Sequence, residues 1–221
     1  MKKTVIIIGL GFAGSALIDS LRGFSDLLDI KVIDEKDSSD FLPLLPDIIG
    51  RRINPEYLRS DSACLCKKAG VDFIKGSVLS VDLKARVVMT SKGDFKYDFL
   101  VIASGSQTNF YGNNNIESNS CKLDSVDDAV RLLRLLEESN FKTYIIAGAG
   151  YTGIEVATNL SLFLHRRKLS AEIILVERAP SVLGMAPDWM KDYVLSNLSK
   201  MGIKIMNQVT IEKIEAKKVS L

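Results

Sequence analysis

Cysteine and histidine are scarce in this chain, and their scarcity narrows the chemistry before any motif is considered. There are three cysteines in 221 residues, Cys64, Cys66 and Cys121. They form an odd set with no Cys-x-x-Cys pair, which fits a reducing cytoplasm rather than a disulfide framework. Cys64 and Cys66 fall on a predicted helix, where positions i and i+2 point to different faces, and read as packing or surface residues. The single histidine, His165, lies at the polar end of a predicted helix and reads as surface. No metal cluster, Ser/His/Asp set or paired-carboxylate constellation stands out, so hydrolase and metalloenzyme readings have little support. Long apolar runs are lacking too: none approaches the roughly 18 residues of a membrane span. A dominant charge sign is equally lacking, with a net charge of +2. Arg51-Arg52, Arg166-Arg167-Lys168 and Lys217-Lys218 are too short to track a nucleic-acid backbone and read as solvated surface.

What is present is an ordinary globular balance, 47% apolar and 25% charged, over enough chain for two domains of roughly 100 residues each. Met1-Lys2-Lys3 followed by Thr4-Val5-Ile6-Ile7-Ile8 has the outline of a short signal peptide. That apolar run spans only five residues before glycines of a specific spacing interrupt it. The reading is therefore a strand leading into a phosphate loop.

One pattern then occurs twice. Thr4 to Ile8, rich in β-branched residues, reads as a buried parallel strand. It runs into Gly9-Leu10-Gly11-Phe12-Ala13-Gly14, a helix to about Gly23, and a second strand, Ile30 to Ile33, ending at Asp34. Thr143 to Ala147 similarly enters Gly148-Ala149-Gly150-Tyr151-Thr152-Gly153, a helix to about Lys168, and a strand, Glu172 to Val176, ending at Glu177. The first glycine precedes the acid by 25 residues in one copy and by 29 in the other.

Between the copies the chain changes character. Asn54 and Pro55 have the form of a helix cap and first position. Val71–Lys75, Val78–Val81, Arg86–Met89 and Phe95–Ile102 are short alternating segments, with Lys92-Gly93-Asp94 as a hairpin signal, and are expected to be antiparallel. Tyr111-Gly112-Asn113-Asn114-Asn115 is turn-rich and is taken as the domain boundary. Asp124 or Ser125 then caps an amphipathic helix in which Val126, Val130, Leu133 and Leu136 share a face.

The glycine spacing has a physical purpose. The first-turn N–H groups of a helix are unpaired and its N-terminal dipole end is positive, so a pyrophosphate can sit there. The first glycine makes the tight turn, the second lets the backbone approach the phosphates, and the third lets helix and strand pack closely. A carboxylate at the end of the next strand can accept hydrogen bonds from ribose hydroxyls. Asp34 is followed by Glu35, and either can serve, with the strand register favouring Asp34. Glu177 would repel a 2′-phosphate and so favours NADH over NADPH, whereas the adjacent Arg178 could welcome that phosphate. A lone Gly-x-Gly-x-x-Gly is weak evidence, but two in strand–helix–strand context with terminal acids are much stronger.

At this point the sequence resembles the pyridine nucleotide–disulfide oxidoreductase superfamily, and within it the type II NADH dehydrogenases, or NADH:quinone oxidoreductases. Four segments carry the likeness: Gly9–Gly14, Phe41-Leu42-Pro43-Leu44-Leu45-Pro46, Tyr97-Asp98-Phe99-Leu100-Val101-Ile102-Ala103-Ser104-Gly105-Ser106, and Gly148–Glu155. The resemblance implies an α/β fold of two Rossmann-like dinucleotide-binding domains with parallel sheets and a small antiparallel element. An FAD-binding domain would occupy residues 1–112 and an NAD(P)H-binding domain residues 113–221. It further implies that Gly9, Gly11, Phe12, Ala13, Gly14, Asp34 and Glu35 meet FAD. Pro43 would lie near the isoalloxazine, the Val78 backbone near adenine, and Ala103-Ser104-Gly105 close to the flavin. Gly148, Gly150, Thr152, Gly153 and Glu177 would hold the nicotinamide dinucleotide. Glu155, taken to lie in the first turn of that helix, would stand where nicotinamide meets flavin.

Departures from the pattern carry information too. Relatives with redox-active cysteines have a thiol near the flavin, where this chain reads Phe41-Leu42-Pro43-Leu44-Leu45, so disulfide reduction and a sulfide:quinone mechanism are disfavoured. Ser104 stands where relatives often have threonine. No later segment resembles the returning FAD-domain strands with their Gly-Asp motif, or the quinone- and membrane-facing segment. The expectation is therefore a C-terminally truncated piece, with a split protein or a degenerate copy as alternatives. Exposed apolar surface where those strands would dock is a route to self-association as a homodimer. The implied activity is hydride transfer from NADH to FAD, then electron transfer to a quinone. A soluble acceptor such as oxygen or a redox protein, and a non-catalytic nucleotide-binding module, stay open. The implied location is the cytoplasm, with the parent protein on the cytoplasmic membrane face.

Overall fold

The computed structural model describes residues 1–215 and 218–221. Lys217, one half of a short basic pair named above, lies outside the described residues. The chain divides into two compact units. The first comprises Met1–Leu42 and Glu56–Gln107, and the second Pro43–Pro55 and Thr108–Leu221.

The first unit opens with β1 (Lys3–Ile8), α1 (Phe12–Ser20), β2 (Leu28–Asp34) and β3 (Ser38–Asp40). After α2 (Leu45–Gly50), which belongs to the second unit, it resumes with β4 (Arg59–Asp61), α3 (Ser62–Ala69) and β5 (Asp72–Lys75). It closes with β6 (Val78–Asp82), β7 (Val87–Thr90), β8 (Gly93–Lys96) and β9 (Phe99–Ile102). Four strands form a parallel sheet in the order β5-β2-β1-β9. Because successive side chains of a strand point to opposite faces, β1 feeds two cores. Val5 and Ile7 pack with Ile18, Val32 and Cys66 on one side, and Ile6 packs with Ile33 and Val88 on the other.

That second face is covered by the antiparallel sheet β6-β7-β8, which contributes Val78, Val81 and Phe95. The expected antiparallel region is thus smaller than the sequence suggested. Asp72–Lys75 pairs in parallel with β2, and Phe99–Ile102 with β1. The physical break in the run Phe95–Ile102 is Asp98. Its carboxylate accepts from the Thr4 N–H at 2.8 Å and from Lys3 Nζ at 2.9 Å, tying the start of β9 to β1. The hairpin signal holds, with Thr90 paired to Gly93 across Ser91-Lys92. The helix expected from Asn54 is only a single 3-10 turn, Pro55–Leu58. It gives way to β4, which pairs with β3 and is held by Arg59 on Asp40 at 2.8 Å. The helix proper begins at α3, where the Asp61 side chain accepts from Cys64 N–H.

The second unit continues with α4 (Asn114–Asn119), α5 (Val126–Glu138), β10 (Thr143–Ala147) and α6 (Tyr151–Arg166). β11 (Glu172–Glu177), α7 (Asp188–Lys200), β12 (Lys204–Asn207), β13 (Lys213–Glu215) and β14 (Lys218–Ser220) follow. Its parallel sheet has the order β10-β11-β12. Ala157, Leu160, Phe163 and Leu164 of α6 meet Ile173 and Leu175 of β11, Leu198 of α7 and Leu136 of α5 in one core. Of the two candidate caps for α5, Ser125 is the one used, accepting from Asp128 N–H at 3.1 Å. Asp124 instead accepts from the Thr108 hydroxyl at 2.7 Å. The asparagine run is more than a turn. Asn115 donates to Ile214 O at 3.0 Å and accepts from Ile214 N–H at 2.7 Å, holding β13, which pairs antiparallel with β14.

Residues 43–55 and 108–112, expected in the first domain, therefore pack with the second unit. The close approach of α2 to α6 explains the first of these. Gly50 lies on Asn159 with no room for a Cβ, and Asn159 Nδ2 donates to Asp47 Oδ1 at 3.0 Å. Arg166 donates to Ile49 O at 3.3 Å. Gly50→Ala is expected to lower stability by about 1–3 kcal/mol through overpacking. Urea unfolding followed by circular dichroism reads the change, and an unshifted midpoint would mean a looser crossing.

Candidate dinucleotide-binding sites

The two strand-to-helix turns repeat one geometry. Gly9 has φ +97° and Gly148 φ +95°, a left-handed region that side chains rarely enter. Each first glycine donates its N–H to the end of the neighbouring strand, Gly9 to Ile33 O and Gly148 to Val176 O, both at 2.8 Å. A Cβ on Gly14 would strike the Gly9 carbonyl, and one on Gly153 the Gly148 carbonyl. First and third glycines are thus demanded by the protein's own packing.

The middle glycines are different. Gly11 and Gly150 have ordinary φ values of −69° and −76°. A Cβ on either would find no atom within 4 Å. Nothing inside the protein requires glycine there, whereas a phosphate lying against the backbone would. This open cradle is the feature that fits a dinucleotide.

The helix ends agree with it. Neither α1 nor α6 has a side-chain cap or an acid in its first turn, whereas α4, α5 and α7 each carry at least one acid there. The first helical bonds are Ser15 N–H to Gly11 O at 2.9 Å and Ile154 N–H to Gly150 O at 3.1 Å. The amides of residues 12–14 and 151–153 precede that ladder at the positive end of the dipole. A phosphate held there gains up to about 2 kcal/mol in favourable geometry.

The strand-end acids hold the turns. Asp34 accepts from Leu10 N–H at 2.7 Å and, through its other oxygen, from Lys36 N–H at 2.9 Å. Glu177 accepts from Ala149 N–H and Ala179 N–H, each at 2.7 Å. Each carboxylate oxygen keeps acceptor capacity for a ribose hydroxyl. Between the alternatives at the first turn, Asp34 is the residue bonded to the loop, and Glu35 is exposed.

Of the other expected residues, Ala103 and Ser104 stand against the first turn. Ala103 donates its N–H to Ile8 O at 2.7 Å, and its carbonyl abuts Gly9. Ser104 and Gly105 follow it, both exposed, and Ala13 is exposed on α1. The Phe12 ring leans on Phe41, with centroids 5.6 Å apart, a partner the glycine motif did not reveal. Val78 opens β6, half-buried and paired with Thr90. Pro43 is exposed and belongs to the second unit.

In the second unit Thr152 is exposed beside Gly150 and Gly153. Glu155 is the fifth residue of α6, one step past the first turn rather than within it. Burial, and then repulsion from Asp47, push its carboxyl pKa above the usual carboxylate range. Asp47 and Asn159, which the sequence reading does not single out, lie near it. Asn159 is 5% exposed and donates to both Asp47 Oδ1 and Glu155 O, each at 3.0 Å. Its signal was present: an amide beside the buried apolar Leu160 and Phe163 of the same helix. Cys66 is buried, and desolvation pushes its thiol up to about 11, the state of an inert core residue. Among the described residues no helix is long and apolar enough to cross a membrane, and no group of three or more His, Cys, Asp or Glu could hold a metal.

Residues 3–221 match the family model described as pyridine nucleotide-disulphide oxidoreductase. A type II NADH:quinone oxidoreductase of Staphylococcus haemolyticus is 25% identical over 225 residues, covering 92% of this chain and 56% of that protein. A demethylphylloquinone reductase of Synechocystis is 27% identical over 237 residues, covering 100% of this chain and 57% of that protein. The sulfide:quinone oxidoreductase structure from Aquifex aeolicus superposes with a TM-score of 0.87 at 25% identity, covering 98% of this chain and 53% of that one. The chain spans about half the length of the curated relatives it matches.

The glycines separate packing from ligand binding experimentally. In the absence of nucleotide, Gly153→Ala is expected to cost about 1–3 kcal/mol through its clash with the Gly148 carbonyl. Gly150→Ala should stay within about 1 kcal/mol of the parent. Denaturant titration compares them, and equal losses would mean that Gly150 is also a packing residue.

Proposed function

The chain belongs to the pyridine nucleotide-disulphide oxidoreductase family, and on that premise we propose that it is an FAD-dependent NADH oxidoreductase whose electrons go to a quinone. The observation that carries the proposal is the pair of turns whose middle glycines, Gly11 and Gly150, face open space. The first turn, with Asp34, Ala103, Ser104 and Gly105, is assigned to FAD, along with the Val78 backbone and Pro43. The second, with Thr152, Gly153 and Glu177, is assigned to NADH. The naming of two relatives for NADH:quinone and demethylphylloquinone reduction supports a quinone acceptor.

When bound, the two dinucleotides would supply the redox chemistry, hydride transfer from nicotinamide to flavin, and the two electrons with the hydride's proton and one from solvent would reduce a quinone to its quinol. The residues of this chain bind and orient. The amides at the starts of α1 and α6 would donate hydrogen bonds to the pyrophosphates, at the positive ends of the helix dipoles. Asp34 and Glu177 keep each turn in its binding shape before ligand arrives, so that ordering cost is met by the fold. Glu155 is assigned to the nicotinamide end of the second site. Its raised pKa lets the carboxyl hold a proton to higher pH than an ordinary glutamate, and Asn159 ties its backbone carbonyl to Asp47.

Separate readouts test the two assignments. Gly11→Val is expected to abolish retention of FAD, seen as loss of visible flavin absorbance in the purified protein. Gly150→Val should retain FAD but lose its bleaching by NADH. The opposite pattern would exchange the two sites, and normal flavin occupancy in Gly11→Val would refute the placement. Glu155→Gln should slow flavin reduction in stopped flow by on the order of tenfold with flavin content nearly unchanged. Equal loss of both would count against its role. Consumption of a soluble quinone by the wild-type protein with NADH tests the acceptor.

A further inference from the structure

Asp47 and Asn159 form a buried polar contact where α2 crosses α6. The Asn159 amide donates to Asp47 Oδ1 and to the Glu155 carbonyl, each at 3.0 Å. Its own oxygen, also buried, finds no donor among the described residues, so the side chain is held by its donor end alone. The other carboxylate oxygen of Asp47 faces Arg51 at 3.5 Å. Asp47 is thus an anion fixed in place, with a hydrogen bond on one oxygen and a cation on the other.

Glu155 precedes Asn159 by one helical turn, so both stand on the face of α6 that meets α2. Among the described residues its carboxyl forms no hydrogen bond and no ion pair. Other titratable groups on the packed elements are engaged elsewhere: Glu172 with Lys204, Glu177 with the turn amides, and Asp128 with Ser125. Burial keeps the Tyr144 hydroxyl of β10 protonated. The charge that bears on Glu155 is Asp47, and its repulsion adds to burial in holding the proton on that carboxyl. A neutral carboxyl beside the nicotinamide does not favour the cationic ring of NAD⁺ over the uncharged ring of NADH. An ionised one would hold NAD⁺ the more tightly.

We propose that Asp47, pinned by Asn159, is a positioning residue that acts through Glu155 to keep the second site from retaining the oxidised dinucleotide, its product. This rests on the assignment of Glu155 and the second turn to the nicotinamide dinucleotide. Asp47 supplies a fixed charge, Asn159 sets its distance from α6, and Arg51 offsets that charge on the far side.

Calorimetric titration of the FAD-saturated protein over a range of pH tests this without turnover. The ligands are NAD⁺, its tetrahydro analogue, whose ring is uncharged and donates no hydride, and ADP-ribose, which lacks the ring. In the wild-type protein NAD⁺ should tighten by about two- to fivefold as Glu155 ionises, with the other two ligands changing by less than about twofold. That rise should fall above the usual carboxylate range. Asp47→Asn should move it to lower pH, Asp47→Glu, which keeps the charge, should return it, and Glu155→Gln should abolish it. A rise that survives Glu155→Gln, or that Asp47→Asn leaves in place, would overturn the inference and spare the site assignment. Wild-type protein that binds all three ligands with no such rise would do the same. Failure of the wild-type protein to bind any of the three would remove the assignment and the inference together.

Discussion

At each strand-to-helix turn a carboxylate from the neighbouring strand grips the amide that follows the first glycine, Asp34 on Leu10 and Glu177 on Ala149. The rest of each site depends on that grip. It fixes where the turn leaves the sheet, which brings the third glycine under the carbonyl of the first. Helix and strand then pack closely enough for Ile7 and Ile18, or Ala157 and Leu175, to share a core. The helix start is left pointing outward with no side chain of its own to satisfy it. The aspartate in one copy and the longer glutamate in the other reach equivalent amides, so the repeat conserves the hydrogen bond rather than the residue.

Much of this was legible because it is local. Strand, glycine turn, helix, strand and acid lie within some thirty residues of each other in each copy, and side-chain chemistry at fixed spacing dictates their geometry. The spacing assigns the middle glycines to ligand approach, and in the structure a Cβ on either meets no atom within 4 Å. The cap of α5 was narrowed locally to Asp124 or Ser125, and packing selects Ser125.

What sequence did not disclose lies in long-range pairing. Alternation marked Phe95–Ile102 as strand, but parallel pairing of its second half depends on Asp98 finding Thr4 and Lys3, far away in the chain. Asn54-Pro55 had the form of a helix start, yet pairing of Arg59–Asp61 with Ser38–Asp40 took the next residues into a strand. The segment after Leu42 carried a motif reminiscent of the flavin side, while its packing is with α6, through Gly50 and Asn159. A glycine and an asparagine more than a hundred residues apart have no local signature. The contact of Phe12 with Phe41 shares that character.

The central claim is that this chain assembles two dinucleotide sites with distinct occupants. The most direct measurement is to incubate the purified wild-type protein with FAD, remove free cofactor and record the visible spectrum before and after anaerobic addition of NADH. A bound-flavin spectrum that NADH bleaches is the predicted result. A protein that keeps no flavin after saturation with FAD, or keeps flavin that NADH leaves oxidised, would contradict the account.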